Sequence, residues 1–235
     1  MRAVSERSEP ILISFSGMDG AGKTTQIQNM CDEFAAAGIP VLQLAFWDNV
    51  VAFAGARANF SHKFLKSDGR VGVPGKPAKR NDKNARAWYL TIGRAFLYSV
   101  DALKLRKIVK QAQARFTGVI VFDRYIYDQL ATLPLDNPLV RAYARLILKV
   151  VPRPDMPYLL DAIPEEARER KPEYPLDFLY KYRRSYLQLH DLADLALIEP
   201  MAQGEARIAI LKKLERCERF GGVESRCALA SASTR

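Results

Sequence analysis

The chain has 235 residues, of which 49% are hydrophobic, and a formal net charge of +10. That is enough for one α/β domain with a full core and too apolar for a disordered chain, and no run approaches the roughly 18–20 apolar residues that a membrane helix needs. The charged start, MRAVSERSEP, offers no apolar signal core, and Cys31, Cys217 and Cys227 suggest neither a disulfide framework nor a metal site; a cytoplasmic setting is expected. Much of the positive charge is local, since residues 57–86 carry nine Lys and Arg against Asp68 and Asp82. Nucleic acid is not favoured as the reason, because aromatic residues are not interleaved with these charges in a stacking pattern. An enzyme that handles polyanionic small molecules collects the same charges.

In chain order, ILISFS (11–16) reads as a buried strand. Residues 24–37 place Ile27, Met30, Cys31 and Phe34 at helical spacing, and Gly38 stops that helix. VLQLAF (41–46) is a second strand. Residues 60–84, rich in Gly, Pro, Lys and Asn, read as a long loop inserted in the domain. A helix is expected over about 85–114, with Trp88, Ile92, Phe96, Leu97, Val100 and Leu103 on its apolar side; Phe96 is assigned to the core, and Tyr98 is open between core and site. GVIVFD (118–123) is a third strand, and Asn137-Pro138 caps a helix that runs to about Val150. PYLLDA (157–162) is a fourth strand, 175–193 a helix and LALIEP (195–200) a weaker fifth strand. The tail 223–235 is expected to be disordered. Strands separated by helices, with nearly continuous apolar strand sequences, predict an α/β fold with a parallel five-stranded sheet covered on both faces, in one domain spanning 1–222.

The stretch SFSGMDGAGKTTQIQ lies between the first strand and the first helix. Gly17, Gly22, Lys23 and Thr24 fit G-x-x-x-x-G-K-[ST] at full spacing, a loop whose backbone N–H groups and following helix N-terminus cradle phosphates. Residues Gly17, Asp19, Gly20, Ala21, Gly22, Lys23, Thr24 and Thr25 are therefore the expected nucleotide-phosphate-binding segment, with Lys23 on the β- and γ-phosphates and Thr24 on Mg²⁺; ATPases, GTPases and small-molecule kinases share such a loop. A guanine-reading N-K-x-D is absent from the sequence. His62 and His190 have no partner at ligand spacing and read as structural or surface residues.

Four stretches together resemble the thymidylate kinase family of nucleoside monophosphate kinases: FSGMDGAGKTTQ, VIVFDRYIYDQLA, YLLDAIPEEARERK and DFLYKYRRSYLQL, spanning residues 11 to about 210. The resemblance implies a three-layer P-loop NTPase fold with a short lid (163–174) and transfer of a phosphoryl group from ATP to a nucleoside monophosphate, dTMP first. It implies that Asp19 meets the sugar 3′-hydroxyl of the acceptor and that Arg124 bridges acceptor phosphate and migrating phosphoryl. Asp123 helps to hold Mg²⁺, Arg168 and Arg170 close over the phosphates with Lys171 near, and Tyr98 stacks on the base. It also implies a homodimer through the long helix 85–114. The sequence departs from the family on the acceptor side. Asp101 is followed by Ala102 where the family has Arg, YDQLATLP replaces its Ala-Tyr-Gln-Gly, and the second strand ends in FWDNV without the usual proline turn. Two other readings stay open. Asp48 could serve as the base of a kinase that phosphorylates a nucleoside or another small alcohol. The chain could also be a nucleotide-binding regulatory or nucleic-acid-linked protein with little catalysis.

Overall fold

The computed structural model describes residues 10–51, 88–217 and 219–220; the basic loop 60–84, the tail 223–235, His62 and Cys227 lie outside the described residues. Strand β1 (Ile11–Ser16) is buried along its whole length. It pairs in parallel with β3 (Val119–Asp123) on one side and with β4 (Met156–Leu160) on the other. Outside these lie β2 (Val41–Ala45) and β5 (Ala196–Ile198), so the order is β2-β3-β1-β4-β5 and all strands are parallel. Helices cover both faces of such a sheet, which is why the strand sequences are mostly apolar.

Two core layers result. On one face α1 (Lys23–Ala36) and α7 (Gln203–Glu215) pack Ile27, Met30, Phe34, Ile210 and Leu214 against Ile11, Ile13 and Phe15. The Phe15 and Tyr158 rings stack at 5.1 Å in this layer. On the other face lie α2 (Trp88–Arg115), α3 (Ile126–Leu130), α4 (Pro138–Val150) and α6 (Leu176–Ala193). The short helix α5 (Pro164–Arg170) follows β4. Helix α4 begins as the sequence predicts: Asn137 Oδ1 accepts from the Leu139 and Val140 N–H groups, and Pro138 sits in the first turn. His190 is structural, its Nδ1 lying 2.8 Å from the Leu195 carbonyl at the turn into β5.

One expectation is corrected. Phe96 is not core; it is 69% exposed, and Ile92 and Leu103 on the same stripe are 59% and 62% exposed. The buried face of α2 is formed by Ala102, Leu105 and Val109, a different stripe about a third of a turn around the helix. Both stripes repeat at helical spacing, so periodicity could not choose between them. Packing selected the stripe of Ala102, Leu105 and Val109, which joins the core layer that holds Ile120 and Phe122 of β3. Helix α7 was not foreseen, although Ala206, Ile210 and Leu214 recur every four residues and are its buried face.

Candidate active site

The C-terminal ends of the strands converge where β1 lies between its two neighbours and the connections diverge to opposite faces, the place where open α/β sheets bind ligands. Residues 17–22 form the loop there. Gly17 has φ +142°, and a Cβ on it would fall 2.3 Å from the Leu160 carbonyl oxygen; on Gly20, at φ +86°, it would fall 2.4 Å from that of Ala167. Only glycine fits either position, so the loop lies flush against the end of β4 and against α5. Gly22 caps α1 without a side-chain hydrogen bond, and the first turn of α1 carries no acidic residue. The N–H groups that open the helix thus remain for an anion, with the positive end of the helix dipole behind them.

Lys23 is buried, and its Nζ donates to the Gly17 and Met18 carbonyls, each at 2.8 Å. Burial, followed by the neighbouring Arg124, pulls its pKa down to about 8 despite nearby aspartates. Thr24 and Thr25 are exposed beside it. Asp123, at the end of β3, is half-buried; burial pushes its carboxyl pKa up, against the pull of Arg124 and Lys23.

Arg124 follows with φ +65°, a left-handed conformation that costs a non-glycine residue roughly 1–2 kcal/mol. Its backbone N–H donates to the Phe15 carbonyl (2.9 Å), and its guanidinium reaches Asp19 through Nη2 and Asp128 through Nη1 (2.9 Å). Burial opposes the charge on Arg124, but Asp128, Tyr186 and Asp19 more than offset it and raise its pKa. Asp19, Lys23, Asp123 and Arg124 are thus one cluster, as the sequence predicts. Residues not foreseen complete it. Fully buried Asp128 also accepts from Ser16 Oγ (2.6 Å) and Tyr186 Oη (2.7 Å), and Tyr186 Oη lies 3.2 Å from the Gly17 carbonyl. The signal for Asp128 was its place four residues after Arg124; Tyr182 and Tyr186 share a helix face at spacing four.

Helix α5 lies over the loop. Arg170 donates to the Gly20 carbonyl (3.1 Å) and to Glu166 (2.9 Å), whereas Arg168 is half-buried and Lys171 is 4.0 Å from Glu173. Asp161, after β4, takes a forked pair from Arg183 of α6, at 2.8 Å to Nε and 2.6 Å to Nη2. Beside the loop, Ala21, Gln26, Asp161, Arg170, Pro200 and Gln203 border a cavity of about 110 Å³. On the other side of the cluster, Tyr98 is half-buried and its hydroxyl lies 2.8 Å from Thr132 Oγ1. Asp101 is fully buried and accepts from Gln129 Nε2 (2.6 Å). Ala102 is fully buried in the core. Asp48 is exposed on a π-helical turn, Phe46–Val50, that ends β2.

A Gly-Lys-Thr loop at the switch point of a parallel sheet of order 2-3-1-4-5 defines a P-loop nucleotide-binding protein. No protein-family model matches the chain. Over 86% of its length it is 25% identical to a probable thymidylate kinase of Methanosphaera stadtmanae, covering 98% of that protein. It is 24% identical to a probable thymidylate kinase of Archaeoglobus fulgidus and 25% identical to the thymidylate kinase of Tropheryma whipplei, over 87% and 92% of the chain and covering 95% and 100% of those proteins. In structure it is similar to the thymidylate kinases of Candida albicans (TM-score 0.60, 16% identity, 90% of this chain and 94% of that one) and Ehrlichia chaffeensis (TM-score 0.51, 16% identity, 88% and 99%). Along most of its length the chain is thus similar to thymidylate kinases, in sequence and in fold.

Proposed function

We propose that the protein transfers the γ-phosphoryl group of ATP to a nucleoside monophosphate, converting dTMP to dTDP. The observation that carries this reading is the cluster itself: a buried lysine and a gripped arginine face the uncapped start of α1, with no other basic group needed at the acceptor. A monophosphate oxygen is already anionic at neutral pH, so transfer requires positioning and charge neutralisation rather than a general base. Lys23 leaves the Gly17 and Met18 carbonyls for the donor phosphates, and Arg124 bridges donor and acceptor. Arg168 and Arg170 on α5 screen the transferring group and exclude water. The residues suit a bound divalent cation, with the Thr24 hydroxyl exposed at the helix start and Asp123 at the end of β3. These two residues would hold Mg²⁺, which would neutralise phosphate charge. The cavity beside Gln26 and Gln203 is assigned to the donor side, and half-buried Tyr98 to the acceptor side. The cysteine usage supports a cytoplasmic setting.

We further propose a homodimer through the outer stripe of α2. Ile92, Phe96 and Leu103 are large, apolar and exposed on one face of this helix. Phe96→Glu is expected to yield monomers in sedimentation experiments; an unchanged assembly state would remove this proposal. The kinase reading is tested by incubating the protein with ATP, Mg²⁺ and a panel of nucleoside monophosphates and nucleosides. ADP and a diphosphate product are expected with dTMP, and product from nucleosides alone would overturn it.

A further inference from the structure

We propose that Asp128 is the positioning residue for Arg124: it holds one arm of the guanidinium permanently while the other arm passes from Asp19 to the acceptor's phosphate. This inference rests on the phosphoryl-transfer reading above. The two carboxylates that share Arg124 are not equivalent. Asp128 has no exposed surface and four donors: Arg124 Nη1 (2.9 Å) and Tyr186 Oη (2.7 Å) on Oδ1, and Ser16 Oγ (2.6 Å) and the Tyr125 N–H (3.1 Å) on Oδ2. Four donors fill the acceptor capacity of a carboxylate, and withdrawing one inside the core leaves an undersatisfied buried charge. Asp19 lies on the phosphate loop with 17% of its side chain in solvent. An arriving phosphate competes for the same Nη2 and repels Asp19, so this contact is the one that exchanges.

The backbone carries the same design. Arg124 is held at φ +65° by its N–H on the Phe15 carbonyl and by its side chain on Asp128. Strained residues of this kind persist where their surroundings over-determine them. The anchor weakens the field that Arg124 casts on a phosphate, since a carboxylate accompanies it. What Asp128 supplies is therefore geometry: Nη2 is aimed before the substrate arrives, and no reorganisation is needed at the reaction. Tyr186, within reach of both Asp128 and the Gly17 carbonyl, fixes this aim relative to the phosphate loop.

The test is a double-mutant cycle of Asp128→Asn with Arg124→Ala, measuring dTMP phosphorylation. In the wild-type background Asp128→Asn is expected to lower kcat roughly 30–100-fold with KM for ATP within about threefold; in the Arg124→Ala background it should change kcat by less than about threefold. Equal losses in both backgrounds would overturn the proposal, because Asp128 would then act through the fold. If Asp128→Asn does not fold, Tyr186→Phe is run through the same cycle and judged by the same two outcomes. A second readout needs no catalysis. Nitrogen-15 spectra of the free protein should show the Arg124 Nη1 protons held against rotation, an effect lost in Asp128→Asn and kept in Asp19→Asn. Adding dTMP should shift Nη2 and leave Nη1 held. Nη1 protons that rotate alike in wild type and Asp128→Asn would overturn the anchor. A wild-type protein inactive on dTMP would instead remove the kinase reading, and the spectra of the free protein would decide the anchor alone.

Discussion

The two ends of the site are built from different materials. At the donor end backbone does the work: Gly17 and Gly20 admit close contact with Leu160 and Ala167, and Lys23 is parked on two carbonyls. At the acceptor end the groups are side chains paired with one another, Tyr98 with Thr132 and Asp101 with Gln129, while Asp48 stands exposed on its turn. A backbone cradle tolerates few sequences, because a Cβ in the wrong place meets a fixed carbonyl. A pocket of paired side chains can be rebuilt by exchanging both partners. On the proposed assignment, the donor end follows the phosphate-loop motif, and the differences from the thymidylate kinase pattern, at Asp101, Ala102 and the segment after Arg124, fall at the acceptor end.

If that contrast is sound, damage at the donor end should be the most severe. Lys23→Ala removes the nearest cation to the transferring group, and turnover is expected to fall about 10³-fold or more, the scale of losing a preorganised electrostatic contact. Its circular dichroism should remain that of the wild type, because Lys23 contributes contacts to the loop rather than to either core layer. Wild-type turnover in this variant would break the donor-end assignment. Arg124→Ala spans both ends. Turnover should drop roughly 10²–10³-fold, with affinity for dTMP falling more than affinity for ATP in calorimetric titrations. Equal weakening of both ligands would place Arg124 at the donor end alone.

The same contrast explains what could be read from the sequence. The strands, the helix cap at Asn137-Pro138 and the phosphate loop were legible because each is a local rule: an apolar run, a capping oxygen, a glycine spacing. The cluster of Asp19, Lys23, Asp123 and Arg124 was legible through motifs tied to strand ends. The contacts of Asp128 with Ser16 and Tyr186 were not, since they join residues 112 and 58 apart in the chain; the one local signal was the spacing of Asp128 four residues after Arg124. Phe96 was misplaced for a related reason. Helix α2 has two apolar stripes, and only tertiary packing decides which one faces β3.

A smaller effect sharpens the donor end by pH. Lys23 has a folded pKa of about 8 against about 10.5 when exposed. Between these values the unfolded chain holds a proton that the folded chain has lost, so stability should rise with pH across this window, by at most about 3 kcal/mol. Above about pH 10 the buried tyrosines Tyr158, Tyr182 and Tyr186, whose pKa values are raised first by burial, act in the opposite sense. Urea titrations from pH 7.5 to 9.5 should therefore show a gain in wild type that Lys23→Met lacks. Bound ATP should restore the lysine charge, so binding near pH 9 should take up a proton, measurable by calorimetry in buffers of different ionisation enthalpy.

The smallest effect is expected at Asp48, and it decides what the acceptor end requires. Asp48 stands on the turn after β2, where a kinase of alcohols would place a general base. A hydroxyl acceptor must lose a proton as it attacks, and removing its base costs roughly 10²–10⁴-fold. A monophosphate acceptor brings no such proton, so a carboxylate near it can only position. Asp48→Asn keeps the shape and one acceptor oxygen while abolishing basicity. Turnover with dTMP should then stay within about tenfold of wild type, and its pH profile should keep the same acidic limb. A loss of a hundredfold or more, together with product formed from nucleosides but not from dTMP, would make Asp48 the base and would replace the phosphate acceptor with a hydroxyl one.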